Sequence, residues 1–398
     1  MLNTSTSRPI YPILFAVSFV HLLNDLVQGV VPAVYPLLKE EYGLDYGQIG
    51  LITLVFQLAA SIFQPIVGSY TDRRSHPYSQ ILSMSILMVG MLMFANAHSY
   101  MMILYSVFLI GIASSIFHPE SARIAYIASS GKRSLAQSIF QLGGNGGTAL
   151  APLVVAYVVL PRGQWALMWV LVLPFIGQCV AYYIGTWYKK RLMSQAHQNL
   201  NSIKVPNLPK GKIVMTVVIL LLLILSKYFY VASITSFLQF YTMEKFGIND
   251  VEAQLYLFYF LIAIAVGTML GGIFGDRFGR KYVIWFSVLG AAPFTLALPY
   301  VGLTVTGIFI VIIGLILSSA FPAIIVYAQE LLPKKLGMVS GLFYGFAFGM
   351  AGIGSAVLGW LADRTSIEYI YLFCSYLPLV GVIAAFLPNL QRIEYVED

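Results

Sequence analysis

Charge is what this sequence has least of. Asp, Glu, Lys and Arg together make up 10% of its 398 residues, against about a quarter in an average soluble domain. A water-soluble globule of this length needs a polar skin that these residues cannot supply. Cysteine is scarcer still, with only Cys179 and Cys374. Both lie inside apolar runs at no metal-ligand or redox spacing, so both read as small buried apolar side chains. A cleavable leader is not visible either. Arg8 opens onto an apolar stretch far longer than an h-region, with no small-residue cleavage site, so the first hydrophobic segment is expected to stay in the mature protein. No Ser/His/Asp set, phosphate-binding loop or paired-carboxylate site is evident; an enzyme is not expected, and neither is a cofactor.

What is abundant is apolar: 59% of residues, with a mean hydropathy of +0.82. With a spanning length of about 20 residues, the chain divides into twelve segments at 10–37, 47–70, 79–97, 101–127, 135–160, 164–188, 213–243, 252–275, 282–300, 303–329, 336–361 and 368–388. In lipid only helices or closed barrels satisfy the backbone. Barrel strands alternate polar and apolar residues over short segments, and these do not. The expectation is an all-α membrane protein of twelve transmembrane helices.

Basic residues set the orientation. With the N-terminus inside, inner ends carry 18 Lys and Arg and outer loops carry four, namely Lys39, Arg162, Lys245 and Arg364. Lys227 is left within a span, and 18 + 4 + 1 accounts for all 23. Both termini are therefore expected in the cytoplasm, with the chain multi-pass in the inner membrane. The net charge of +7 is mostly this bias, and no nucleic-acid partner is implied.

The longest interruption runs from Lys189 to Lys212. It holds Gln195, Gln198, Asn199, Asn201, Pro206 and Pro209 and reads as a cytoplasmic linker. The expected domains are a six-helix bundle over 1–188, the linker 189–212, and a second six-helix bundle over 213–398. A weak repeat supports the division. Gly68-Ser-Tyr-Thr-Asp72-Arg73 closes the second span; Gly272-Ile-Phe-Gly-Asp276-Arg277-Phe-Gly-Arg280-Lys281 closes the eighth, 204 residues on. At the same offset Phe117 matches Phe321, and Pro119 and Pro322 are expected to interrupt their helices nearby. A parallel repeat of six spans is a known transporter plan, with the substrate site between the halves.

These runs resemble the cytoplasmic loop signature of the major facilitator superfamily. A carboxylate there can bind amides at a neighbouring helix N-terminus, and arginine can pair with acids across the loop. Gly68, Asp72, Arg73, Gly272, Asp276, Arg277 and Arg280 are accordingly gating candidates that latch the inner face. Glycines recur every fourth residue at Gly267, Gly271 and Gly275 and at Gly341, Gly345 and Gly349, and cluster as Gly143, Gly144, Gly146 and Gly147 around Asn145. Small residues at this spacing let helices approach closely. The resemblance places them at a sliding seam between halves, and the fifth span is similar to a divergent antiporter signature.

Polar residues inside the spans are the functional candidates, since a mid-bilayer charge costs at least about 2.5–3.5 kcal/mol. His21, Asn24, Asp25 and Gln28 form one stripe at i, i+3, i+4 and i+7. His118-Pro119-Glu120 is expected to break the fourth span, with Arg123 one turn inward of Glu120. Lys227 lies near the midplane of the seventh, beside Ser226, Tyr230 and Ser233. Proton coupling falls to Asp25, Glu120 and His118. His21, Asn24, Gln28, Arg123, Lys227 and Tyr230 are substrate-binding candidates. Structural pairing is the alternative for each: Asp25 with His21 or Arg123, Glu120 with Arg123, Lys227 with Asp25. His21, Asp25, His118 and Glu120 offer metal-ligating groups, but their spacing matches no recognised motif and no metal is expected. Gln57, Gln64, Gln137, Gln141 and Asn145 read as helix-to-helix glue. Glu330 beside Lys334 and Lys335 reads as snorkelling at an inner end.

A closer resemblance lies in the N-terminal half. His21-Leu-Leu-Asn24-Asp25 through Tyr35-Pro36, Leu54-Val-Phe-Gln57 with Gln64-Pro65, Phe117-His118-Pro119-Glu120-Ser121-Ala-Arg123, and Ala136-Gln137-Ser-Ile-Phe140-Gln141-Leu-Gly143-Gly144-Asn145 resemble the fosmidomycin-resistance branch of that superfamily. The resemblance implies a cavity lined by the first, fourth, seventh and tenth helices. It also implies a monomeric proton-coupled antiporter in membrane lipid that exports small anionic drug-like molecules by alternating access. Proton-coupled nutrient uptake and a non-transporting membrane sensor are the alternatives.

Overall fold

The computed structural model describes residues 9–74, 76–130, 133–195, 204–333, 336–390, 393 and 395–397. Nearly all of them are helical. The first half of the chain forms α1 (Tyr11–Ala33), α2 (Tyr35–Tyr42), α3 (Tyr46–Arg73), α4 (Ser79–Ala95), α5 (Tyr100–Ala128), α6 (Arg133–Val154) and α7 (Val172–Gln195). The second half forms α8 (Lys210–Phe246), α9 (Asp250–Phe278), α10 (Arg280–Leu289), α11 (Ala292–Ala297), α12 (Leu303–Ser318), α13 (Ala320–Leu331), α14 (Leu336–Arg364) and α15 (Ile367–Cys374). Counting joined pieces together, eleven helices among the described residues are long and apolar enough to cross a membrane. The expected third span is α4, which at 17 residues is shorter than the others. Large apolar side chains such as Phe15, Trp169 and Phe386 stand exposed on the outside, as lipid-facing surfaces do.

Proline decides where spans break, though not everywhere it was expected to. Pro36 removes the amide that would continue α1, and the chain breaks at Val34 before α2. The tenth expected span breaks at Ser319, ahead of Pro322. There Ser287 from α10 splices the gap: its Oγ accepts from the Ala320 amide at 3.0 Å and donates to the Ile316 carbonyl at 2.5 Å. Pro119, by contrast, sits inside an unbroken α5. Neighbouring helices accommodate a proline at such depth.

The expected linker is shorter than 189–212, because α7 runs on to Gln195 and α8 starts at Lys210. Gln198, Asn199 and Asn201 lie outside the described residues. Between the two helices a short strand, β1 (Lys204–Pro206), pairs antiparallel with β2 (Tyr395–Glu397) near the end of the chain. This is a small β addition to the expected all-α fold.

The halves meet along α3 against α14 and α6 against α9. The glycine-bearing helices α6, α9 and α14 do lie along this seam, but their glycines face it only in part. Gly341 and Gly345 do face the other half, at Pro65 and Ser61 of α3. Gly267 and Gly271 instead lie on Leu315 and Ser319 of their own half, and Gly143 and Gly147 lie on Ser18 and Leu22 of α1. A Cβ at Gly143 or Gly147 would collide with a backbone carbonyl of α1. Most of the stripe therefore serves close packing within each half.

Candidate functional site

Between the halves lies a cavity of about 240 Å³, lined by α1, α3, α5 and α6 on one side and by α8, α9, α12, α13 and α14 on the other. Its first wall carries the polar stripe of α1. His21 and Asp25, one helical turn apart, join with His21 Nε2 3.1 Å from Asp25 Oδ2. His118 enters from α5, with its Nε2 3.5 Å from Asp25 Oδ1 and 3.3 Å from His21 Nε2. Both rings are anchored from behind. His21 Nδ1 is 2.8 Å from the Phe140 carbonyl and His118 Nδ1 is 3.0 Å from the Ser114 carbonyl. A carbonyl only accepts, so in each ring Nδ1 carries the hydrogen, and whenever the ring is neutral Nε2 turns a lone pair inward. Phe140 stacks on the His21 ring at 4.0 Å, and Phe348 of the other half stands edge-on to His118 at 5.5 Å. Gly144 is what lets α6 lie this close, since a Cβ there would enter the space of the His21 ring and the Asp25 carboxylate.

The second wall is aromatic and basic. Lys227 Nζ lies 5.4 Å from the ring centres of both Tyr228 and Phe321, within cation–π range. Tyr344 stands edge-on to Phe321 at 5.1 Å and accepts a hydrogen bond from Gln137 Nε2 at 2.7 Å. The Lys227 side chain is buried, and no ion pair joins it to an acid among the described residues. The expected alternative, a resident Asp25 partner for Lys227, is not formed here; Asp25 is engaged by the two histidines instead.

Other candidates fall away from the cavity. Glu120 is fully buried on the far side of α5, paired with Arg123 at 3.5 Å and accepting from Ser79 Oγ at 3.4 Å. Two residues along a helix is about 200° of rotation, so His118 and Glu120 cannot share a face. The Arg123 guanidinium also donates to the Thr71 carbonyl near the end of α3. Glu120 and Arg123 thus stand off the cavity lining and tie α3, α4 and α5 together, the structural pairing that was the alternative for them. Asn24 is buried and donates to Asp25 Oδ1 at 2.8 Å without reaching the cavity. Tyr230 is buried off the lining, which on α8 follows Lys227, Val231 and Thr235 at a four-residue spacing. Gln28 does line it, as do Gln57, Gln141 and Asn145. Asn145 also bridges the halves by donating to Thr268 Oγ1 at 2.9 Å. Gln64 stays outside the lining, and both its amide atoms are buried without a partner.

Of the gating residues, Gly68 is buried; Asp72, Arg73, Gly272, Asp276 and Arg277 lie outside the residues described at side-chain level. Arg280 pairs with Glu330, so that acid is an ion-pair partner of the signature rather than a snorkelling neighbour of Lys334 and Lys335, which lie outside the described residues. A further latch was missed. Gly359-Trp-Leu-Ala-Asp363-Arg364 closes α14 with the same spacing of Gly, Asp and Arg as the two loops. Asp363 reaches across to the first turn of α3, accepting from the amides of Tyr46 at 3.0 Å and Gly47 at 2.7 Å. The Tyr46 hydroxyl reaches the Glu244 carboxylate, and Gln254 Nε2 donates to the Ala33 carbonyl at 2.8 Å. The spacing alone would have found Asp363.

The Major Facilitator Superfamily model matches residues 17–344 and again 220–394. The Fosmidomycin resistance protein of Escherichia coli (strain K12) is 51% identical over 387 residues, covering 97% of this chain and 95% of that protein. The MFS-type transporter YfnC of Bacillus subtilis (strain 168) is 40% identical, covering 96% and 94%. Among solved structures, a bacterial homologue of the human lysosomal transporter Spinster, inward-facing and occupied, aligns with a TM-score of 0.68 at 17% identity, covering 95% of this chain and 94% of that one. The superfamily transporter FucP in its outward conformation aligns at 0.65 and 17%, covering 95% and 98%.

Proposed function

Because this chain belongs to the Major Facilitator Superfamily, we propose that it is a proton-coupled antiporter exporting a small molecule that is anionic at one end and carries a hydrogen-bond donor at the other. It works in the inner membrane as a monomer of twelve crossings, α4 being the third, with both termini cytoplasmic and a six-helix bundle on each side of the linker. The single-chain cavity and the 18-to-4 distribution of basic residues support that arrangement.

The observation that carries the reading is the meeting of three acceptor groups: His21 Nε2 and His118 Nε2 lie 3.3 Å apart, and the Asp25 carboxylate faces them with Oδ2 3.1 Å from His21 and Oδ1 3.5 Å from His118. With both Nδ1 hydrogens committed to carbonyls, the three sites repel unless one hydrogen lies among them. One proton satisfies the set and makes it neutral overall; without it the set carries a single negative charge. A donor group of the substrate fills the same lone pairs, so proton and donor exclude each other. Lys227 in its aromatic frame takes the anionic end. Exclusive occupancy of one site by two loads is what antiport requires, with each load favouring its own domain arrangement. The relative named for fosmidomycin resistance supports a small phosphonate as cargo and the outward direction.

One feature of the same cavity favours a second reading for other cargo. An anion lacking a donor leaves the lone pairs to the proton, and Coulomb attraction then favours joint binding, which is symport. Reconstituted protein with a pH gradient, and fosmidomycin placed on each side in turn, separates the two. Export against inward proton flow is expected, and co-directional flux overturns antiport. Asp25→Asn should lose gradient-driven flux while retaining exchange of labelled for unlabelled fosmidomycin, which shows a folded carrier. Gradient-driven flux at the native rate in Asp25→Asn would remove the cluster from coupling.

A further inference from the structure

We propose that His21, Asp25 and His118 also form a binding site for a divalent transition-metal ion of the zinc class, open on its fourth side to the cavity. Each of the three residues offers one ligand atom close enough to the other two to surround a single ion. Metal–ligand bonds of about 2.0–2.1 Å at tetrahedral angles set ligand atoms about 3.3–3.4 Å apart. The two Nε2 atoms are 3.3 Å apart and His21 Nε2 is 3.1 Å from Asp25 Oδ2, while His118 Nε2 approaches the other oxygen, Oδ1, at 3.5 Å; one ligand atom from each residue lies within 4.8 Å of the other two. The facing atoms are the two Nε2 nitrogens and the Asp25 carboxylate, so once the shared proton leaves, each residue offers a lone pair to the metal.

The surroundings match what a metal centre needs. Each ligating imidazole donates its other N–H to a backbone carbonyl, of Phe140 and of Ser114, which fixes ring and tautomer. The Asn24 amide holds Asp25 Oδ1 at 2.8 Å and leaves Oδ2 toward His21. The rings of Phe117 and Phe140 pack against His21, and that of Phe348, on the opposite wall of the cavity, stands edge-on to His118, so the cluster has apolar surroundings. Two imidazoles and one carboxylate suit Zn²⁺, Co²⁺ or Ni²⁺ and disfavour Mg²⁺ and Ca²⁺, which prefer all-oxygen shells. His21, Asp25 and His118 line the cavity together with Gln28 and Gln141, which leaves room on that side for water or an oxygen of the cargo. The metal takes the lone pairs that the proton and the cargo use, so a loaded site stalls the carrier; this last consequence alone rests on the function proposed above.

The test is Co²⁺ titration of the purified full-length chain. One Co²⁺ per chain with the intense visible absorption of a tetrahedral site is expected, displaced by Zn²⁺ and not by Mg²⁺. Asp25→Asn and His118→Gln should each weaken binding more than about 100-fold, beyond the 10–100-fold that loss of an outer partner costs; Asn24→Ala should fall within that smaller range. His118→Cys keeps three ligands and should add a near-ultraviolet thiolate-to-cobalt band, which a merely misfolded variant cannot produce. Replacing His76, His98 and His197, the three histidines outside the cluster, should change nothing. Binding that survives His118→Gln, or disappears with His76, His98 and His197, overturns the site. The two readings fail separately. Native gradient-driven flux in Asp25→Asn with Co²⁺ binding lost refutes coupling and leaves the metal site. Flux lost in Asp25→Asn with no site-specific Co²⁺ in the native chain does the reverse.

Discussion

Removing the Asp363 carboxylate should loosen the halves at the end of the molecule where α3 begins. In the native chain its two oxygens receive the Tyr46 and Gly47 amides at 3.0 and 2.7 Å. These are among the amides that α3 leaves without an intrahelical partner; Asp45 already takes the next one, from Gln48, at 2.6 Å. Asp363 thus caps a helix of the opposite half and places a negative charge at its positive end. Hydrogen bonds to a charged acceptor contribute about 1.5–3 kcal/mol each when sheltered. Asp363 is exposed, however, and water takes over the freed amides once the ends separate. A net loss of about 1.5 kcal/mol for the pair in Asp363→Ala is the discounted figure. Since about 1.4 kcal/mol is tenfold in an equilibrium, the open population at this end should rise roughly tenfold. Asp363→Asn, which keeps an acceptor without the charge, should shift it by about half that energy. Spin labels on Glu41→Cys and Thr365→Cys, in a background with Cys179→Ser and Cys374→Ala, report the separation by pulsed electron resonance. A longer-distance component should grow in the order native, Asn, Ala. An unchanged distance distribution in Asp363→Ala would refute the latch and leave the contact as local packing.

Lys227→Gln should weaken binding of a phosphonate more than about tenfold while barely changing that of a neutral analogue, measured by titration of the purified protein. Because no ion pair ties Lys227 to Asp25, adding Asp25→Asn should not rescue it; rescue, or equal losses for both ligands, would reassign Lys227 to a structural role. Glu120→Gln should keep proton coupling but lower stability by about 1–3 kcal/mol, through the weakened tie to Arg123, seen as a lower thermal midpoint. Lost coupling at native stability would return Glu120 to the mechanism.

Hydrophobic patterning made the spans legible because lipid imposes one length and one backbone solution. The cavity was legible to the extent that its residues violate the lipid rule. His21, Asp25, His118 and Lys227 each cost energy at depth, and all four line the same space. Glu120 violates the rule equally, yet buries its charge against Arg123 in the opposite direction, and helical periodicity cannot say which face of α5 turns inward. The aromatic frame of Tyr228, Phe321, Tyr344 and Phe348 carried no signal in a chain with 26 Tyr and 26 Phe. The glycine stripes announced close contact but not the partner, since a small residue fits any approaching backbone.

Asp363 shows a different kind of loss. Its spacing was present in the sequence, but it closes a helix at the end away from Thr71 and Arg123, where the resemblance called for no loop signature. In Gly359-Trp-Leu-Ala-Asp363-Arg364 the glycine permits contact with Tyr46, the carboxylate takes the amides of the facing helix, and Arg364 folds back with its guanidinium 4.1 Å from the Trp360 ring. The loop runs beginning at Gly68 and Gly272 carry the same residue order, for which a carboxylate on a neighbouring helix terminus is the physical use. A carrier that alternates between two closures needs a breakable contact at each end, weak enough to yield to cargo or proton. An exposed carboxylate on a helix N-terminus meets that need, with a strength of one or two kcal/mol by the general scale of such contacts. A buried ion pair such as Glu120 with Arg123, about 3–5 kcal/mol to break, does not, and it sits within one half, where nothing has to move.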